Sequence, residues 1–476
     1  LVPSKFVPEA GFRAVKVRDL LTLEIDDLAL GGQALGRVEG CVVFVDRGLP
    51  GDRVRARLTR VKRSFAEARL EALERPSAAR VPARCVHVDQ CGGCRWQELP
   101  YEEQCAVKAR QVIEALRRIG GVPAPDVRPL VPCADPWRYR NKMEFSFLQR
   151  DDGTPVLGLH ERGTFDKVFE LRECWLASEL VTRIVASTQS FAREHGWRAY
   201  HPGRLDGVVR FLLVRHLPLT GECAVHLIAA SEEVPALAEW ARAIAALSPE
   251  VRTVTLGINA SRSNVATMER EIALVGSGAI VERLLGLEFE VVGNAFLQTN
   301  SVQAERLYAL ALEAAALRGE ETVLDLYCGA GTLTLLFARA ARTAIGVESV
   351  PEAVERARRN AARNGLGGTR FVGGEARQVL REWARGERPD PPRPDVVVVD
   401  PPRAGLHPRV VARCAELRPA RIVYVSCNPA TLARDVKDFA SYGYALREVT
   451  PVDMFPHTPH IECVARLEPA TAAAGA

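Results

Sequence analysis

The sequence predicts an α/β protein in three parts, and three observations predict it. Residues 15–75 hold short alternating apolar runs separated by glycine-rich turns, the mark of a small OB-like β-barrel. Residues 76–290 carry a cysteine group and then strand-like runs with two helical stretches, a central α+β domain. From 321 onward, within a C-terminal domain at 291–468, short buried-strand runs alternate with helices, as in a parallel sheet with right-handed crossovers. A disordered tail is expected at 469–476.

In the barrel, strands are expected at Leu21–Ile25, Cys41–Val45 and Arg53–Leu58, with turns at Gly31-Gly32 and Leu49-Pro-Gly-Asp52. The side-chain period of two puts Arg53, Arg55 and Arg57 on one face, and no acid occurs over 53–63. Such a face, with Phe65 nearby, suits a phosphate backbone. Residues 76–84 read as a linker. Tyr101–Ile119 is an amphipathic helix ended by Gly120-Gly121 and Pro123. The central domain has strands at Met143–Leu148, Val208–Val214 and Ala224–Ala229 and helices at 178–194 and 234–247; Arg138, Arg140 and Lys142 cluster beside Tyr139 and Phe145.

The C-terminal strands are Thr322–Leu326, Ala344–Glu348, Arg370–Val372, Asp395–Asp400 and Ile422–Ser426. Helices at 333–341, 351–363, 375–384, 408–415 and 430–441 lie between and after them, and Leu446–Val449 with Cys463–Leu467 adds an antiparallel edge. Pro391-Pro392-Arg393-Pro394 is a loop inside this domain.

Over 476 residues, 47% hydrophobic and 26% charged content is that of an ordinary globular chain, and no apolar run is long enough to span a membrane. The first residues, Leu1 to Gly11, lack a signal-peptide core, so the twelve cysteines do not read as a disulfide framework, and clustered ones read as metal ligands or catalysts in a reducing cytoplasm. The net charge of +4 is mild.

Four constellations carry chemistry. Asp325-Leu-Tyr-Cys-Gly329-Ala-Gly331-Thr332 follows the first strand and opens a helix, where glycines admit a ligand closely. It has neither G-x-G-x-x-G spacing nor a P-loop lysine. With Glu348 placed to accept from a ribose diol, it suits a nucleoside cofactor such as S-adenosylmethionine. Asp400-Pro-Pro-Arg403 ends an all-valine strand and aims a carboxylate off the sheet. Cys427 sits between a strand end and a helix capped by Asn428 and Pro429; the helix dipole favours its thiolate, but by less than one pKa unit. Glu462, in His460-Ile-Glu462-Cys463, is the candidate general base, with His457 and His460 as alternatives. Finally Cys85-x5-Cys91-x2-Cys94 with Cys174 offers four thiolates for zinc or an iron–sulfur cluster, and spacing alone does not choose.

Together with Phe296-Leu-Gln298-Thr-Asn300, these motifs give the chain, from about residue 15 to 467, a resemblance to the RNA uracil-5-methyltransferases, specifically the bacterial 23S rRNA branch with a TRAM barrel. The resemblance implies a Rossmann-like class I methyltransferase domain. It also implies Cys427 as nucleophile and Glu462 as base, and Gln298, Tyr327, Glu348 and Asp400 as methyl-donor contacts. Thr332 stands where the tRNA branch usually has Asn. The four cysteines would then hold a [4Fe-4S] cluster, and the 101–119 helix would pack on the catalytic domain. The expected partner is 23S-type rRNA, contacted by Arg53, Arg55 and Arg57, with no membrane and a monomeric chain. The rivals are a tRNA uracil-5 enzyme, an amino-group methyltransferase and a non-catalytic RNA-binding Fe–S protein. An amino-group enzyme would use Asn-Pro-Pro-Tyr and need no Cys427.

Overall fold

The computed structural model describes residues 16–389 and 393–470. Leu1 to Gly11, Pro391-Pro392 and the tail beyond 470 lie outside the described residues. The chain divides into two units. One holds residues up to Asp89, Gly93–Val112 and Phe455–His460; the other holds Gln90–Gly92, Ile113–Met454 and the chain from Ile461.

In the first unit, β1 (Leu20–Leu28), β2 (Ala34–Val38), β3 (Cys41–Val45), β4 (Arg53–Val61) and β5 (Phe65–Arg75) close into a barrel of order β1-β2-β3-β5-β4. Strand alternation drives the closure: Val54, Ala56 and Leu58 of β4 point inward with Leu23, Ile25, Val43 and Val45, all buried. Gly51, at φ 88, makes the turn into β4. Asp52 beside it is fully buried and accepts from Leu49 N at 2.6 Å, Ser77 N at 2.8 Å and Arg80 Nη2 at 2.7 Å. The 76–84 stretch is therefore not a free linker, because one arginine follows a buried carboxylate that needs a partner. Helix α1 (Tyr101–Arg118) begins in this unit, where Val107 joins Trp96 and Leu99 on the barrel core.

The second unit contains two large sheets. The central one comprises β6 (Lys142–Gln149), β7 (Pro155–His160), β8 (Val168–Glu170), β9 (Val209–Leu217), β10 (Glu222–Ala229), β11 (Val251–Ile258) and β12 (Arg270–Val275), in the order β12-β11-β10-β9-β6-β7-β8. Helices α2 (Glu179–Glu194) and α3 (Leu237–Ala245) pack on it through Ile184, Trp240 and Ile244. A hairpin, β13 (Ile280–Leu284) and β14 (Leu287–Val291), leads to α4 (Ser301–Ala315).

Then β15 (Thr322–Leu326), α5 (Thr332–Ala338), β16 (Thr343–Glu348), α6 (Pro351–Arg363), β17 (Arg370–Gly373), α7 (Ala376–Ala384), β18 (Val396–Val399), α8 (Pro408–Glu416), β19 (Arg421–Ser426) and α9 (Pro429–Ala440) alternate as the sequence predicts. With β20 (Tyr444–Val452) and β21 (Glu462–Pro469) the sheet order is β17-β16-β15-β18-β19-β21-β20. The first five strands are parallel, and β21 runs antiparallel between β19 and β20. Pro469 still pairs with Tyr444. All four valines of β18 are 0% exposed, and each buried valine stabilises by roughly 1.5–3 kcal/mol. The sheet is thus anchored at its centre, and its carboxyl edge carries the loops that follow. No helix among the described residues is long and apolar enough to cross a membrane.

Candidate active site

The loop after β15 turns on three left-handed residues, Tyr327 (φ 69), Gly329 (φ 55) and Gly331 (φ 84). A Cβ on Gly331 would stand 3.0 Å from both Ala357 and the Phe371 ring, so α5 needs glycine to start there. Glu348, at the end of β16, accepts from Gly329 N at 3.0 Å, Ser349 N at 2.7 Å and Val350 N at 2.8 Å. These bonds fix the carboxylate against the glycine loop.

Beside this loop lies a narrow recess, lined by Phe296, Leu297, Tyr308, Asp325, Tyr327, Gly329, Thr332 and Asp400 among others. Of the expected cofactor residues, Tyr327, Thr332 and Asp400 stand in the wall. Glu348 reaches it through Gly329, and Gln298 is buried next to the wall residue Leu297. Gln298 is held by its own carbonyl, which accepts from Asn141 Nδ2 at 2.8 Å. Phe296 is 73% exposed, an aromatic face open at the rim.

Two carboxyls of the recess are pushed up to about 7. Burial raises Asp325; a 2.6 Å bond from Thr334 Oγ1 opposes it and the Asp400 charge adds to it. Burial alone raises Asp400, which follows β18 and keeps part of its surface open.

Cys427 and Glu462 come together through strand register. Ser426 of β19 pairs with Cys463 of antiparallel β21, so the next residues outward are Cys427 and Glu462. Glu462 is 3% exposed, and burial lifts its carboxyl well above the ordinary range, with the Asp400 charge adding to this and Arg403 opposing it. Cys427 is half-buried, and its thiol is pushed up to about 11 by burial first and then by the Glu462 and Asp400 charges, against Arg403. The thiolate expected from the helix start is thus not the resting state: two neighbouring carboxyls and desolvation outweigh a helix end worth at most about 1 kcal/mol. The predicted cap is present. Asn428 Oδ1 accepts from Ala430 N at 3.1 Å, and Pro429 opens α9. Asn428 Nδ2 also donates to Arg403 O at 3.1 Å, so the cap ties the Asp400–Arg403 loop to the cysteine turn.

Sequence reasoning missed Tyr308 and Asn141, and named Arg403 within the Asp400–Arg403 motif without giving it a role. Tyr308 is a buried residue of α4 whose phenol is pushed far up, by burial and by Asp400, Glu462 and Asp325. The signal was present in the Asn300 cap and the Ala304, Leu307, Ala311 spacing. His457 and His460 group with the barrel unit; His457 Nδ1 lies 3.2 Å from Gln104 Nε2.

The cysteine and arginine expectations fare differently. Among the described residues, no three His, Cys, Asp or Glu side chains stand together to hold a metal ion. Cys85 Sγ accepts from His87 N at 3.4 Å, Cys94 is buried, and Cys91 and Cys174 pack on the core of the central sheet. Cys85 and Cys94 belong to the first unit and Cys91 and Cys174 to the second, and thiols have no mutual attraction until a metal supplies it. On the barrel, Arg53, Arg55 and Arg57 do share a face, but it is charge-paired. Arg53 reaches Glu24 and Glu74 at 3.5 Å, Arg55 reaches Glu74 at 3.8 Å, and Arg57 Nε and Nη2 bind Glu71. The acids come from β1 and β5, which the 53–63 window could not reveal. The Arg138 and Lys142 cluster is likewise occupied: Arg138 stacks on Trp175 at 4.6 Å, and Lys142 pairs with Glu144 at 2.6 Å.

A glycine loop on the first strand, an acid on the second and an acidic recess at the carboxyl edge define a class I methyltransferase, which follows a small barrel in the chain. The chain belongs to the S-adenosylmethionine-dependent RNA uracil-5-methyltransferases: the tRNA (Uracil-5-)-methyltransferase family matches residues 134–469, and the TRAM domain matches 14–70. It is 37% identical over 454 residues to an RNA methyltransferase of Bacillus cereus, covering 95% of this chain and 98% of that one. A second, from Nitratidesulfovibrio vulgaris, is 42% identical over 451 residues, with 94% and 95% covered. The solved structure of the Pyrococcus abyssi tRNA (uracil-54, C5)-methyltransferase with S-adenosyl-L-homocysteine is similar at a TM-score of 0.74 and 30% identity, over 94% of this chain and 100% of that one.

Proposed function

We propose that this enzyme methylates C5 of a uridine in large-subunit rRNA, with Cys427 as nucleophile and Glu462 as general base. The observation that carries this reading is the β19–β21 register, which sets thiol and carboxyl side by side at the sheet edge that also bears Asp400. S-adenosylmethionine supplies an electrophilic methyl group, and Gln298, Tyr327, Thr332, Glu348 and Asp400 are the residues that would hold it. Cys427 gives up its proton to solvent water, and its thiolate bonds to uracil C6 as the C5–C6 double bond opens, which makes C5 nucleophilic toward the methyl. Glu462 then takes the C5 proton, the sulfur–C6 bond breaks, and Cys427 leaves as thiolate. The raised Glu462 carboxyl makes its ionised form a stronger base. A cation in the recess favours both this carboxylate and the Cys427 thiolate. Phe296 is exposed at the rim for stacking on a uracil that has left its helix.

Cys427→Ala is expected to abolish turnover and the covalent RNA adduct; near-normal methylation by that variant would sink the mechanism. Glu462→Gln is expected to trap the methylated adduct as a denaturant-stable gel shift. A tRNA target is the second reading, favoured by the P. abyssi enzyme. An alignment over 94% of this chain leaves no room to omit the barrel, so the barrel does not discriminate the two. Mass spectrometry of rRNA and tRNA from a deletion strain tests it: the 5-methyluridine mark is expected to vanish from rRNA and persist in tRNA. The same reading places the enzyme in the cytoplasm as a monomer. It includes a [4Fe-4S] cluster on Cys85, Cys91, Cys94 and Cys174, carried by spacing and resemblance and taking no part in the steps above. Iron and sulfide analysis of anaerobically purified protein tests that part.

A further inference from the structure

Helices α7 and α8 pack together and leave an open groove of about 970 Å3. Arg377, Arg381 and Arg385 line it from the α7 side, and Arg409 and Arg413 from α8; Glu416 is the one acid among its described lining residues. The arginines recur every four residues, so each set stands on one face of its helix. Four residues of helix advance about 6 Å, close to the phosphate-to-phosphate step of a nucleic-acid strand. Arg377, Arg381, Arg385 and Arg409 are exposed.

Among the described residues, three of the five arginines have an acidic partner within the protein and two do not. Arg413 pairs with Glu416, Arg385 reaches Glu387 at 3.6 Å and Arg377 reaches Glu375 at 3.9 Å. Among the described residues, no ion pair holds Arg381 or Arg409. Like charges four apart on a helix cost a few tenths of a kcal/mol each, so folding gains nothing from this stacking. Exposed pairs are worth about 0–1 kcal/mol, and Arg381 and Arg409 are the groove's charge outside any of them. The groove is also well placed. Helix α7 follows β17, and α8 follows the Asp400–Arg403 loop, so Arg377 and Arg409 stand at the carboxyl edge that carries Asp400 and Cys427.

We propose that the α7–α8 groove binds the phosphodiester backbone of the RNA substrate, as a contact separate from the barrel. This rests on the RNA-methylating reading and deepens it. Guanidinium forks at this spacing grip successive phosphates without reading bases.

The test is fluorescence anisotropy of a labelled single-stranded RNA oligonucleotide bound to the full-length enzyme across a salt series. Each single-strand phosphate contact contributes about 0.7 to the slope of log affinity against log salt. The double variant R381A/R409A is expected to lower the slope by about 1.4 and to weaken binding at low salt. R381K/R409K, which keeps the charges, is expected to retain the wild-type slope. Titration with S-adenosylmethionine is expected to be unchanged in both. A wild-type slope in R381A/R409A overturns the groove and leaves the RNA reading standing. A wild-type enzyme with no RNA affinity overturns both.

Discussion

Cys427 is held in the state that is wrong for attack. Burial and the Glu462 and Asp400 charges keep its proton on, and Arg403 alone pulls the other way among the named side chains. Its reactivity in the free enzyme is therefore expected to climb only toward pH 11. Iodoacetamide labelling, followed by mass spectrometry of the Cys427 peptide across pH, measures this. Arg403→Ala is expected to move the midpoint up and Asp400→Asn to move it down. A free-enzyme midpoint at the ordinary thiol value of about 8.5 would refute the picture. Asn141 acts at one remove. Its Nδ2 donates to Gln298 O at 2.8 Å and to Ser301 Oγ at 2.7 Å, and Ser301 Oγ donates to Glu282 Oε2 at 2.5 Å. Asn141→Ala is expected to cost about 1–3 kcal/mol in thermal denaturation. It is also expected to weaken S-adenosylmethionine binding while leaving Cys427 labelling unchanged, which separates positioning of Gln298 from general damage.

At the scale of elements, legibility tracked range. Strand β19 with its Asn428-Pro429 start, the glycine loop and β18 were readable because cap, φ preference and apolar run are local signals. Strands β2, β5, β7, β8 and β11 to β14 went unread. Strand β5 depends on pairing with the remote β3, whereas the β13–β14 hairpin pairs locally, Leu284 with Leu287, and was hidden because the buried Glu282 breaks its apolar alternation. The β4 face shows the consequence for function. Its arginines were visible, but Glu24, Glu71 and Glu74 meet them only once β1 and β5 flank β4. These exposed pairs add little stability and hold back charge from any polyanion. Glu71→Gln combined with Glu74→Gln is expected to change stability by less than about 1 kcal/mol, to tighten RNA binding at low salt and to steepen its salt dependence. Unchanged RNA affinity would remove this face from the RNA-binding surface.

For the whole molecule, Phe455–His460 is grouped with the barrel although it interrupts the strand pair that carries Glu462, a long-range association no sequence window contains. The carboxyls are equally invisible in sequence, because their state depends on what buries them. Asp325 and Asp400 are pushed up to about 7, so between the ordinary carboxylate value near 4 and pH 7 the folded protein keeps protons that the unfolded chain has released. Stability therefore falls as pH rises through that window and levels off above it. Asp52 acts oppositely and lower on the scale. Against burial, the Arg80 ion pair and the Ser77 and Leu49 N–H groups hold it below its usual value, and its contribution is lost only in acid. The sum puts maximum stability on the acid side of neutrality. Asp400→Asn is expected to raise Tm at pH 8, to flatten the decline between pH 5 and 8, and to weaken S-adenosylmethionine binding. Thermal melts at the two pH values check it: a lower Tm for Asp400→Asn at pH 8 would mean that the buried carboxylate stabilises the fold, and that its cost is not what function imposes on this sheet edge.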